Sequence, residues 1–98
     1  MLTVLSNNAE IDGVAAASDM IALGAINALR ASGKSVPAEV AVVGYDDTES
    51  GAGLSSVRQE WGLAGATLAR KVLQIVSGKK AASEQLPVQL IVRGSSQA

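Results

Sequence analysis

The chain has 98 residues, 48% of them hydrophobic and 17% charged, with eight basic and nine acidic side chains and a formal net charge of -1. That length supports one small domain burying roughly 60 to 70% of its unfolded surface, and the composition is too apolar and too weakly charged for a disordered chain. The absence of cysteine and histidine excludes disulfides, thiolate metal sites and histidine-dependent hydrolytic triads, and the near-neutral charge offers no broad attraction to a phosphate backbone.

Residues 1–9 lack the basic start and apolar core of a signal peptide, and no apolar run approaches the roughly 20 residues of a membrane span. A soluble, cytoplasmic chain with no membrane partner is therefore expected. Residues 2–5 read as a short strand or a frayed start. Residues 13–17 (GVAAA) read as a small-residue buried strand, after which Ser18 or Asp19 offers a side-chain oxygen to the first amides of a helix. Capping is the structural reading of both, and it suits Asp19 better.

The helix is expected over 20–32, with Ile21, Ala25, Ala28 and Leu29 on one face and a left-handed cap at Gly33. Met20, Leu23, Ile26 and Asn27 form a second, narrower strip. Pro37 stops any helical continuation in the following loop. The run VAVVGYDD then gives a strand over 40–45 that ends in an aromatic and two carboxylates, Tyr45, Asp46 and Asp47. Open α/β sheets bind ligands beyond the carboxyl ends of their strands, so this edge is the expected site. The strands at 13–17 and 40–45 are expected to lie adjacent and parallel, joined by the intervening helix in the right-handed crossover seen in about 98% of such connections.

Residues 48–53 (TESGAG) read as a loop, 55–59 as a short strand, and 61–77 as a helix with Leu68, Val72, Ile75 and Val76 on one stripe, ended by Gly78. Residues 79–85 form a polar connector, 88–93 a closing strand, and 95–98 are expected to fray.

Four stretches carry a resemblance: IDGVAAASDMIALGAINAL, VPAEVAVVGYDD, LSSVRQEW and PVQLIVRGS. In that order they resemble the C-terminal part of the effector-binding core of the LacI/GalR family of bacterial repressors, which is similar to periplasmic sugar-binding proteins. The resemblance implies an α/β fold, namely a partial periplasmic-binding-protein-like (Rossmann-like) three-layer lobe with a mainly parallel sheet, in one domain over 1–98. It implies a sugar-like effector, no cofactor and no enzymatic activity. The family's helix-turn-helix, hinge and first core half have no counterpart here, so the expectation is a truncated effector-binding and dimerisation fragment with weak or lost sugar affinity and no nucleic-acid binding of its own.

The resemblance further implies ligand-binding roles for Ser18, Asp46, Gln59 and Trp61. A carboxylate such as Asp46 accepts paired hydrogen bonds from neighbouring hydroxyls; its structural alternative is a strand-end turn cap. Gln59 matches a polar contact and Trp61 an aromatic platform, a division of labour common in concave sites. Trp61 has the alternative of anchoring its helix in the core. Asp47 is read as structural, because adjacent carboxylates on extended backbone point apart. Asp46, Asp47 and Glu49 lack the ligand spacing of a metal loop, and Arg58 and Arg93 are read as ordinary surface charges. Gly44, Gly51 and Gly53 form no nucleotide fingerprint.

Leu23 and Asn27 match the family's dimer helix, and apolar surface on two helices leads to an expected homo-oligomer, formed by exchange of the elements after residue 60. The alternatives are a self-associating structural protein without ligand and an enzyme using Tyr45, Asp46, Asp47 or Glu49 for proton transfer. The missing histidine and cysteine make the second the weaker.

Overall fold

The computed structural model describes residues 4, 7, 8, 10–48 and 53–97. Six elements follow in order: β1 (Gly13–Ala15), α1 (Asp19–Ala31), β2 (Ala41–Tyr45), β3 (Ser55–Gln59), α2 (Trp61–Val76) and β4 (Val88–Ile91). The sheet order is β1-β2-β3-β4. β1 and β2 are parallel with Val14 opposite Val42, and β2 and β3 are parallel with Gly44 opposite Ser56. The expected adjacent, parallel pairing of the first two main strands is thus present. Two compact units divide the chain, Met1–Arg58 with Leu90–Ala98, and Gln59–Gln89.

In the first unit, Ser18 rather than Asp19 caps α1. Its backbone is extended and its Oγ accepts the Ile21 amide at 3.2 Å, while Asp19 occupies the first turn and complements the helix dipole. At the other end Gly33 takes φ 82, its amide meets the Arg30 carbonyl, and Lys34 N–H returns to Leu29 O at 2.9 Å. This double bond pattern around a left-handed residue terminates the helix.

The buried face of α1 differs from the expected one. Ala22, Ala25, Ile26 and Leu29 are buried, whereas Ile21 is 58% exposed. The reason lies in β2 and the residues just before β2 and β3: Val40, Val42 and Leu54 form one cluster with Ala22, Ile26 and Leu29. Gly44 extends that surface toward the helix start, because a Cβ there would overlap Asp19 Oδ1 and stand 3.2 Å from Asp19 Cα. β1 is shorter than expected and not fully buried. Gly13 and Ala15 are exposed, as suits the first strand in the sheet order.

The C-terminal segment is tied down rather than frayed. Ser95 is buried; its Oγ donates to Val42 O at 2.6 Å and accepts from Ser55 N–H at 2.8 Å, and its carbonyl accepts Val42 N–H at 2.9 Å. Arg93 N–H donates to Ser55 Oγ at 2.7 Å. Strand geometry nevertheless stops at Ile91, short of the expected Arg93. Of residues 2–5 only Val4 is described, and its carbonyl accepts the Asn8 amide in a helical-type bond, not strand pairing. Residues 49–52, most of the expected loop, and Ala98 lie outside the described residues.

The second unit consists of α2 and its following connector. Glu60 precedes the helix without a side-chain cap, and Gly78, at φ 82, follows its end. Lys71 Nζ donates to Ala82 O at 2.5 Å and lies 3.4 Å from Glu84, with Arg70 at 3.6 Å from the same carboxylate. The helix and connector bound a groove of about 550 Å³ lined by Ala64, Leu68, Val72, Ile75 and Leu86 among others. Thr67 is the buried residue of α2, and the expected apolar stripe is exposed, Val76 to 78%.

Candidate functional site

Parallel strands deliver their C-terminal ends to one edge, and Ser18 and Asp46 both follow such ends, of β1 and β2. The chain leaves β2 in an unusual way. Asp46 and Asp47 have φ of 95° and 57°, a region that L-residues other than glycine rarely enter. Hydrogen bonds hold each peptide there. Asp46 N–H donates to Val57 O at 2.8 Å, Asp47 N–H to Ser56 Oγ at 2.9 Å, and Thr48 N–H to Asp19 Oδ2 at 2.5 Å.

Asp19 is the centre of this network. It is 2% exposed, and its second oxygen accepts Ser56 O–H at 2.7 Å. A buried carboxylate needs such donors to offset lost hydration. Asp47 is half-buried as a residue, but its side chain is only 5% exposed: Oδ1 accepts Arg93 Nη1 at 2.6 Å, and Oδ2 lies 2.7 Å from both Nε and Nη2 of Arg58. Arg93 Nη1 also donates to Leu54 O at 2.8 Å. The hydrogen bond from Arg93, followed by that from Arg58, holds the Asp47 carboxyl below the usual aspartate range. The reciprocal bond raises the Arg93 guanidinium.

Across residues 3–96 the chain matches the periplasmic binding protein-like domain. It belongs to this family. It does so in the form carried by LacI/GalR-type regulators: it is 38% identical to the HTH-type transcriptional regulator CelR of Thermobifida fusca over 97% of its own length. The fold superposes on the transcriptional regulator CelR in complex with cellobiose with a TM-score of 0.81, at 37% identity, covering 95% of this chain and 30% of that one. The lac repressor dimer bound to operator and the anti-inducer ONPF gives a TM-score of 0.85 at 33% identity, over 99% of this chain and 36% of that one. The chain spans 30% of the length of CelR.

Within this LacI-type core, the residues singled out in the sequence divide between the two units. Ser18 caps α1 and is half-buried, and Asp46, also half-buried, follows β2. Gln59 closes β3 and is half-buried, whereas Trp61 opens α2 and is 57% exposed. So much exposure speaks against the alternative role of Trp61 as a core anchor. Arg58 and Arg93 are not ordinary surface charges, since both are bound to Asp47. The bonds of Asp19, Ser56, Arg58 and Arg93 escaped sequence reasoning because the partners lie nine or more positions away, 9 for Asp47 and Ser56, 11 for Asp47 and Arg58 and 46 for Asp47 and Arg93. Among the described residues no group of three carboxylates, cysteines or histidines is placed to hold a metal ion.

Proposed function

We propose that this chain is a sugar-binding part of a LacI/GalR-type effector core, with no catalytic activity and no DNA affinity of its own, working in the cytoplasm. The observation that carries the reading is Asp46. It is half-buried and follows the C-terminal end of a strand with a parallel strand on either side, and open α/β sheets bind ligands beyond such ends, which supports the reading. The similarity to a regulator solved with cellobiose supports a glycoside as the effector class. Ser18 Oγ, beside the first amides of α1, is a second polar contact at the same edge. Gln59 and Trp61 remain in the proposal on the family resemblance, as a hydroxyl contact and a stacking face. The net charge of -1 supports the absence of DNA binding.

A residue-resolved NMR titration with cellobiose tests the reading, because it registers affinities as weak as about millimolar. Saturable shifts around Asp46 and Ser18 that vanish in Asp46→Ala are expected. No response up to tens of millimolar, about −2 kcal/mol or weaker, overturns sugar binding by this chain.

The exposed face of α2 favours a second component, self-association. Leu68, Val72, Leu73, Ile75 and Val76 are all more than half exposed, and soluble monomers seldom leave such patches open. We propose a homo-oligomer that exchanges the elements after residue 60, a low-cost route to dimers. Sedimentation decides: Val72→Lys dissociates an exchanged dimer, whereas Leu23→Lys dissociates one built on α1. A wild-type monomer at micromolar concentration overturns both.

A further inference from the structure

We propose that Asp47, gripped by Arg58 and Arg93, is a positioning residue that holds Asp46 in its left-handed conformation and thereby aims the Asp46 carboxylate. The aiming rests on the sugar-binding reading above; the grip on the backbone does not.

Two successive aspartates at positive φ are unfavourable on their own, because each Cβ crowds the backbone there. Such a conformation persists only where the surroundings over-determine it. Three main-chain amides of the turn have acceptors in β3 and α1, as described above. The Asp47 side chain adds an anchor of a different kind. Its two oxygens are fixed from two separate pieces of chain, Arg58 in β3 and Arg93 after β4, and Arg93 is itself held by Leu54 O. Arg93 has its side chain 20% exposed against 46% for Arg58. Solvent competes less for the Arg93 bond, which is therefore the stronger hold.

The same geometry explains why the two neighbouring carboxylates differ. With its side chain 5% exposed and both oxygens on guanidinium groups, Asp47 has little surface to offer a ligand. Asp46, one residue earlier, is half-buried. Asp47 acts through the backbone it shares with Asp46, so loosening it lets Asp46 relax toward ordinary φ and swing its carboxylate away.

A double-mutant cycle with Asp46→Gly and Asp47→Asn tests the grip without any ligand. Glycine accepts positive φ freely, so Asp46→Gly relieves strain only while the grip imposes it. The shift in urea midpoint caused by Asp46→Gly is expected to be more favourable in the wild-type background than in Asp47→Asn. Equal shifts in the two backgrounds overturn the proposal. Asparagine keeps the size of Asp47, and Arg93→Gln serves as the second background if that variant folds poorly.

Cellobiose then tests the aim. Asp47→Asn should weaken binding by on the order of tenfold, Arg93→Gln more than Arg58→Gln, with the amide resonances of α1 unmoved and that of Asp46 displaced. If Asp46→Ala abolishes binding while Asp47→Asn leaves it at the wild-type value, positioning fails and the sugar reading stands. If Asp46→Ala binds like wild type, the sugar reading fails, and the cycle alone decides the grip.

Discussion

Each unit contains one long amphipathic helix, and the two meet opposite fates. α1 buries Ala22, Ala25, Ile26 and Leu29 beside Val40, Val42 and Leu54, whereas α2 buries Thr67 and leaves Leu68, Val72, Leu73, Ile75 and Val76 exposed. An apolar stripe at helical spacing states that a face gains from cover. It does not state what provides the cover. Stability in this chain should therefore be concentrated in the first unit, and substitution is the direct way to break that comparison.

The largest contrast is between two leucines. Leu29 is fully buried and Leu73 is 67% exposed. Leu29→Ala is expected to lower unfolding free energy by about 2–5 kcal/mol, against a change within about 0.5 kcal/mol for Leu73→Ala, both read by urea denaturation at a concentration where the chain is monomeric. Comparable losses at the two sites would mean that α2 is covered in solution. Next comes Gly44→Ala. Its new Cβ meets Asp19 Oδ1 and comes within 3.0 Å of Leu54 Cδ2, an overpacking that costs about 1–3 kcal/mol. Gly65→Ala, with open space around its Cβ position, should instead be neutral or stabilising by about 1 kcal/mol, since alanine favours helix.

How far the sequence was legible follows the range of the forces involved. The strand at Ser55–Gln59 and the helix from Trp61 agree with their expected starts because β-prone residues and helical periodicity act locally. The helix stop at Gly33 was equally readable, since left-handed geometry selects glycine. The buried face of α1 was partly misjudged: Ala25 and Leu29 were expected in it, but Ala22 and Ile26 take the place of Ile21, because the face is chosen by contact with Val40, Val42 and Leu54 and not by side-chain hydropathy alone. Ser95 looked like a fraying polar end, and only its bonds to Val42 and Ser55, more than 30 positions earlier, bury it. For the site, the order VGYDD marked the strand edge, but not which aspartate is enclosed by arginines.

Acid sharpens the comparison further. Asp47, in the first unit, titrates below its ordinary value of 3.8 because Arg93 and then Arg58 bond its carboxylate. A depressed native pKa contributes stability that is fully present above that ordinary value and is lost as pH falls through the native one. Glu39, lowered by the Ser35 amide and hydroxyl, adds in the same direction. Unfolding midpoints should therefore fall below about pH 4, and Asp47→Asn should flatten most of that acid limb. An unchanged limb in the variant would assign the acid sensitivity to the other bonded carboxylates, Glu39 or the buried Asp19.

The smallest expected effect on stability concerns Trp61, and it separates two roles that the sequence left open. An indole that anchored its helix would be buried, and truncating it would cost about 3–5 kcal/mol. At 57% exposure, Trp61→Ala should instead change stability by within about 0.5 kcal/mol. Trp61 is the single tryptophan of the chain, so intrinsic fluorescence reports on it alone. Native emission should lie close to that of the unfolded chain and be quenched readily by acrylamide. Cellobiose that stacks on the ring, or a second chain that covers α2, would each shift emission to the blue; the first shift follows sugar concentration and the second follows protein concentration. Emission already blue-shifted in the dilute chain without sugar would restore the anchor reading and, with it, a buried start to α2.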